Sequence, residues 1–139
     1  MRFVTHSEEE TRKLGAALAK KLSAGSVFCL HGEMGCGKTA FVKGVAEGLG
    51  YTGEVTSPTF ALCHRYDTEP VIFHYDLYRL TDADDIFSAG LFDCCDGNSA
   101  VFIEWPKAAE ELGDDVSDIY FSYGDSENDR IIETEDGLI

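Results

Sequence analysis

Residues Gly32-Glu33-Met34-Gly35-Cys36-Gly37-Lys38-Thr39 match the phosphate-loop pattern G-x-x-x-x-G-K-[ST] at every fixed position. This pattern constrains the fold because it works only between a buried strand, which delivers the loop, and a helix, whose first backbone N–H groups point at the phosphate. Both flanks are present. Ser26-Val27-Phe28-Cys29-Leu30-His31 is a short apolar run that reads as a buried strand, and 38–49 reads as a helix stopped by Gly48 and Gly50. Gly32, Gly35 and Gly37 let backbone donors turn inward around phosphate oxygens. Lys38 reaches the β- and γ-phosphates, and Thr39 supplies a hydroxyl for Mg²⁺. The expected nucleotide contacts run from Gly32 through Glu33, Met34 and Cys36 to Ala40. The competing reading is an ordinary glycine turn capping a helix. Cys36 lies at that helix N-terminus, where a thiol pKa can fall, although a bound triphosphate opposes this; the plain reading is a small residue that fits the loop.

The remaining composition narrows the setting. A chain of 139 residues forms one compact domain, read here as a single phosphate-loop ATPase domain over 1–139. Charge is lopsided: residues 1–81 hold nine acids and nine bases, whereas 82–139 hold seventeen acids and two bases, Lys107 and Arg130. A net charge of −15 disfavours direct binding to nucleic acid or anionic membrane, which needs clustered Lys and Arg. With no long apolar run and no apolar segment after Met1-Arg2-Phe3, a cytoplasmic location is expected. Five cysteines without C-x-x-C spacing read as reduced, mostly buried thiols.

The chain reads as an alternating α/β pattern. Thr5 or Ser7 can cap a helix with Glu8, Glu9 and Glu10 in its first turn and Leu14, Ala17, Leu18, Lys21 and Leu22 on its buried face, ended by Gly25. Residues 60–66 and 71–78 read as a hairpin, 82–90 as a short helix, 99–104 as a buried strand, and 106–112 as a helix opened by Pro106. Residues 118–123 and 130–134 alternate and read as edge strands. The expected fold is a phosphate-loop sheet of mixed parallel and antiparallel strands with flanking helices.

A Mg²⁺-nucleotide site also needs an acid near the metal and a group that positions water. Asp76 and Glu104 each follow an apolar strand, Val71-Ile72-Phe73-His74-Tyr75 and Ala100-Val101-Phe102-Ile103. Asp76 is expected at magnesium, directly or through water; Glu104 is expected to reach the metal only through its bound ligands, or to be the water-polarising base. His74 alternates with Asp76 and shares its face, and a hydrogen-bonded structural histidine competes with a site role. Arg79 can contact phosphate or a partner, or be a surface arginine. Thr56, Ser57 and Thr59 fall where a switch that senses the γ-phosphate would lie, with a plain turn as the alternative.

Four motifs in order, Gly32 through Thr39, Val55-Thr56-Ser57-Pro58-Thr59-Phe60, His74-Tyr75-Asp76-Leu77-Tyr78-Arg79-Leu80 and Ile103-Glu104-Trp105-Pro106, resemble the bacterial TsaE family over about residues 5–112. The resemblance implies ATP and Mg²⁺, and association with the TsaD and TsaB proteins that make threonylcarbamoyladenosine at position 37 of tRNAs decoding ANN codons. It implies an ATP hydrolase, slow alone, that supports multiple turnover of that transferase, with tRNA held only through the partners and no membrane. On this chain the family's magnesium-linked Asp falls on Asp76, its essential Glu on Glu104, its switch threonines on Thr56 and Thr59, and its site-proximal tryptophan on Trp105. The departures are Cys36 in the loop and an acidic segment, 113–139, that is less family-like.

Other classes fit less well. A small-molecule kinase needs a lid and several arginines, and five arginines are scattered here. A GTPase carries N-K-x-D, which neither Asn98 nor Asn128 begins. A nucleotide-gated clamp that binds ATP without useful turnover is the remaining alternative.

Overall fold

The computed structural model describes residues 1–33, 35–53, 63–76, 97–104 and 116–139, the side chains of Cys63 and Asp76 excepted. In chain order the elements are β1 (Arg2–Thr5), α1 (Glu8–Ala19), β2 (Val27–His31), α2 (Lys38–Gly48), β3 (Cys63–Tyr66), β4 (Val71–Asp76), β5 (Ser99–Glu104), β6 (Val116–Tyr123) and β7 (Arg130–Glu133). The strands form one seven-stranded sheet in the order β1-β7-β6-β2-β5-β4-β3. Strands β4, β5, β2 and β6 run parallel, and the antiparallel partners β3, β7 and β1 lie outside them. The expected mixed α/β sheet is thus observed.

The central strands are apolar without interruption because both their faces are covered. Phe28, Leu30, Ile72, Ala100, Phe102, Ile119, Phe121 and Ile132 form one core with Leu18 of α1 and Phe41, Val42 and Val45 of α2. Val27, Cys29, Val101 and Ile103 alternate with them on the opposite face and are also buried. Phe28 stacks on its register partner Phe102 with ring centroids 4.9 Å apart, and Phe41 meets Phe121 edge-on at 5.5 Å.

Helix α1 begins where its sequence promised. Ser7 is the N-cap and its Oγ accepts from the Glu10 N–H at 3.1 Å, while three acids fill the first turn. Its buried face carries the expected Leu18, with Leu14 and Leu22 packed against the core, but also small residues that were not expected there. Thr11, Gly15, Leu18 and Ala19 are buried, Leu14 and Leu22 are only partly so, and Lys21 is exposed. The cause is a close helix crossing. A Cβ on Gly15 would lie 2.2 Å from the Phe41 carbonyl oxygen, and one on Gly44 would lie 2.0 Å from that of Arg12. Small residues, not the leucines, therefore set the α1–α2 contact.

Neither late strand is an edge: β6 lies between β2 and β7, and β7 between β6 and β1. The edge on this side is β1, a strand that no local pattern in the sequence announces. Arg2-Phe3-Val4-Thr5 pairs antiparallel with β7, and the Met1 ammonium donates to the Thr134 carbonyl, which anchors this short strand. The hairpin expected over 60–78 is present as β3 and β4 where it is described. The helices expected at 82–90 and 106–112 lie outside the described residues, as do Cys94 and Cys95. Among the described residues, no helix is long and apolar enough to cross a membrane.

Candidate functional site

The phosphate loop leaves the C-terminal end of β2 and enters α2, as expected. Gly32, Gly35 and Gly37 have φ of 149°, 79° and 105°, values that side-chain-bearing residues rarely adopt. Gly32 is also sterically required, because a Cβ there would lie 2.6 Å from both Cys36 Sγ and the Phe121 carbonyl oxygen. Gly37 is the N-cap of α2 and makes no side-chain cap, so the helix N-terminus presents backbone donors. Met34 lies outside the described residues.

Lys38 opens α2 yet is buried, and its Nζ donates to the Gly32 carbonyl at 2.7 Å across the loop. The same ammonium lies 3.7 Å from Glu104 Oε1. Glu104 ends β5, which pairs in parallel with β2 through Leu30↔Glu104, so the two strands deliver loop and acid to the same edge of the sheet. The other carboxylate oxygen, Oε2, lies 2.6 Å from His74 Nε2. An ionised carboxylate only accepts, so Nε2 carries the proton. His74 is fully buried and its Nδ1 has no hydrogen-bond partner among the described residues. The histidine is thus the buried, hydrogen-bonded residue of the structural reading, and its partner is Glu104, the acid expected at the site.

Asp76 ends β4 directly opposite Glu104 in the register, which puts the backbones of both acids at one edge. Its side chain, and all of Thr56, Ser57, Thr59, Arg79 and Trp105, lie outside the described residues. Thr39 and Ala40 follow Lys38 in the first turn of α2, both partly buried.

The residues present fit a magnesium nucleotide. The loop provides glycines in the conformations that turn N–H groups inward, a helix N-terminus, and a buried ammonium whose present acceptor is a neutral carbonyl it can exchange for phosphate. Thr39 and Glu104 supply the hydroxyl and carboxylate oxygens that a hard cation takes. Cys36, by contrast, is buried, and burial pushes its thiol above the ordinary value despite the nearby Lys38. It fills space in the loop and lacks the low-pKa character of a redox-reactive thiol.

On the other flank of the loop stand two residues that sequence reasoning passed over. Tyr123 ends β6 and pairs with Arg130 at the start of β7. The Arg130 guanidinium lies over the Tyr123 ring at 4.8 Å and its Nη2 donates to the Gly35 carbonyl at 3.4 Å. The available signal was a single arginine in the acidic segment after residue 112.

The family model described as threonylcarbamoyl adenosine biosynthesis protein TsaE matches residues 5–132, running past Leu112 into β6 and β7. The tRNA threonylcarbamoyladenosine biosynthesis protein TsaE of Treponema pallidum is 42% identical over 113 residues, covering 81% of this chain and 84% of that one. The proteins of the same name from Rickettsia felis and Bacillus subtilis are each 36% identical over 112 residues. They align with 79% and 80% of this chain, which spans 65% and 70% of their lengths. The crystal structure of YdiB from Bacillus subtilis superposes with a TM-score of 0.74 at 29% identity, covering 96% of this chain and 83% of that one.

Proposed function

The chain belongs to the TsaE family, and from that premise we propose that it is a Mg-ATP hydrolase of tRNA threonylcarbamoyladenosine biosynthesis. Its hydrolysis sustains multiple turnover of a TsaD–TsaB complex that modifies position 37 of tRNAs decoding ANN codons. The observation that carries this reading is the position of Glu104, a buried carboxylate between Lys38 and His74 at the mouth of a phosphate loop.

In this reading the loop glycines and the α2 N-terminus hold the phosphate chain, and Lys38 exchanges the Gly32 carbonyl for phosphate oxygens. That exchange draws the ammonium from Glu104 Oε1, which is then available to accept a hydrogen bond from the attacking water. His74 fixes the carboxylate through Oε2, so that Oε1 is presented in one orientation. Thr39, Asp76 and Glu104 would hold magnesium, directly or through water, and the ion would supply charge neutralisation at the phosphates. Thr56, Ser57 and Thr59 act as the γ-phosphate switch, and Arg79 and Trp105 lie near the site. The net charge of −15 supports tRNA contact through the partners and not through this chain, as well as a cytoplasmic, membrane-free setting.

The test is threonylcarbamoyladenosine formed per TsaD–TsaB transferase over many turnovers, with ATP and either wild type or Lys38→Ala. Sustained modification with the wild type alone, accompanied by ATP hydrolysis, is expected. Sustained modification with nucleotide-dependent association and no hydrolysis would replace the hydrolase with a nucleotide-gated clamp.

A further inference from the structure

We propose that the outward face of β6, β7 and β1 is a docking surface for a lysine- or arginine-bearing segment of a protein partner, an inference that does not rest on the nucleotide reading. The face of the sheet turned away from α1 and α2 changes character at β2. On β2 and β5 its residues Cys29, Val101 and Ile103 are buried. Beyond β2, alternation along the strands puts Asp118 and Tyr120 of β6, Ile131 and Glu133 of β7, and Val4 of β1 on this face. Tyr120 is 53% exposed and Val4 48%. An antiparallel face left to solvent alone carries polar side chains outward, so large apolar residues set among acids there mark an interaction surface.

The register places His31, Tyr120, Glu133 and Arg2 in one row across four strands. His31 stacks on Tyr120 with ring centroids 4.6 Å apart and 15° between the planes, and its Nε2 lies 2.7 Å from Asp118 Oδ1. The tyrosine ring is thereby held in place while half its surface stays open. Beside it, Asp118, Glu133 and Glu135 line a groove of about 340 Å³ together with Tyr120 and Val116. Three carboxylates around a half-exposed ring attract a cation, and the π face adds its own attraction. Glu135 is held by a neutral group, the Ser117 hydroxyl, which donates to its Oε1 at 3.1 Å. Arg2 stands at the outer edge of the row, beside Glu133, and leaves the other two acids uncompensated by it.

The same charge decides against other occupants. Nucleic acid and anionic lipid are repelled by these acids, within a segment, 82–139, that holds seventeen acids and two bases. A second copy of the chain would bring the same acids to the contact. A small polycation would engage the carboxylates alone, whereas Val4 and Ile131, paired in register next to the row, extend the surface with apolar area that a protein segment covers.

The test follows the backbone amides of the full chain by NMR, at about 0.15 M salt, as a synthetic peptide of alternating arginine and valine is added. It compares the wild type with Asp118→Asn/Glu133→Gln/Glu135→Gln, with Tyr120→Ala and Tyr120→Phe, and with a control of equal charge, Glu8→Gln/Asp125→Asn/Glu127→Gln. Circular dichroism checks folding. Shifts centred on β6, β7 and β1 are expected, with affinity about tenfold weaker in the groove triple variant and in Tyr120→Ala, and unchanged in Tyr120→Phe and the control. The triple variant preserves the test if Tyr120→Ala fails to fold. Equal weakening in the groove variant and the control would reduce the attraction to net charge and overturn the docking surface, as would shifts centred on another face. Spermine, matched to the peptide in charge, is expected to bind about tenfold more weakly than the peptide. Equal affinity for spermine would overturn the protein segment in favour of a small polycation. No nucleotide is present, so none of these outcomes bears on the phosphate-loop reading.

Discussion

Glu104 Oε2 accepts from His74 Nε2 at 2.6 Å, and both side chains are buried, one at the end of β5 and the other two residues before the end of β4. The pairing joins two adjacent parallel strands at the edge where β2 releases the phosphate loop. The hydrogen bond at Oε2 fixes the carboxylate's orientation, and that orientation turns Oε1 toward Lys38.

If His74 acts by positioning Glu104, removing it should impair turnover more than binding. His74→Ala is expected to lower kcat for ATP about tenfold to a hundredfold, with KM and nucleotide affinity little changed. Steady-state kinetics beside equilibrium binding checks this, and a loss confined to affinity would assign His74 to nucleotide contact instead.

Lys38 is buried and donates to the Gly32 carbonyl. Lys38→Ala deletes a charge-assisted contact to phosphate and is expected to weaken Mg-ATP binding about tenfold to a hundredfold. Titration with a fluorescent ATP analogue measures it.

The α1–α2 crossing predicts a stability effect remote from the site. At Gly44 the first atom a methyl group meets is backbone, the Arg12 carbonyl oxygen at 2.0 Å, so the helices must separate. Gly44→Ala is expected to destabilise the protein by about 3 kcal/mol, read from the denaturant midpoint at unchanged m. The better intrinsic helix propensity of alanine recovers only about 1 kcal/mol, so the sign stays unfavourable.

His6 Nδ1 lies 2.8 Å from Asp129 Oδ1, which joins the β1–α1 junction to the β6–β7 turn. The hydrogen bond and charge of Asp129 raise the His6 pKa above its ordinary value, and His6 in turn lowers that of Asp129. A raised histidine contributes stability that is fully present below its unfolded pKa and is lost as pH rises through the folded one. Asp129 has the opposite sense, its share being lost as pH falls through its lowered value. NMR titration should show His6 titrating above the ordinary imidazole value in the wild type and returning to it in Asp129→Asn.

Much of this was legible because it is local. The glycine spacing of the phosphate loop, the apolar run of β2 and the acid that closes β5 are each written within a few consecutive residues. The register Asp76↔Glu104 then needed only that two such strands be neighbours. What escaped the sequence is non-local. Strand β1 has four residues and takes its stability from β7, more than a hundred residues away, so no local pattern announces it. Strands β6 and β7 resembled edges because Tyr120 and Tyr123 leave one face of β6 exposed, although its hydrogen-bonding sides are both occupied. Leu14, Leu18 and Leu22 face the core as their spacing indicates, but apolar periodicity counts large side chains and so does not show that the closest crossing with α2 is made by Gly15 and Gly44. Arg130 reaches Gly35 only through the fold of a hairpin, and Glu104 and His74 are thirty residues apart in sequence.

The most direct measurement is Mg²⁺-dependent ATP hydrolysis by wild type and Glu104→Gln in the presence of TsaD and TsaB, with Mg-ATP affinity determined on the same preparations. The amide keeps the size of the carboxylate and removes its charge, so binding should match the wild type while turnover is lost. Glu104→Gln that hydrolyses ATP at the wild-type rate would contradict the role assigned to this residue and, with it, the account of the site.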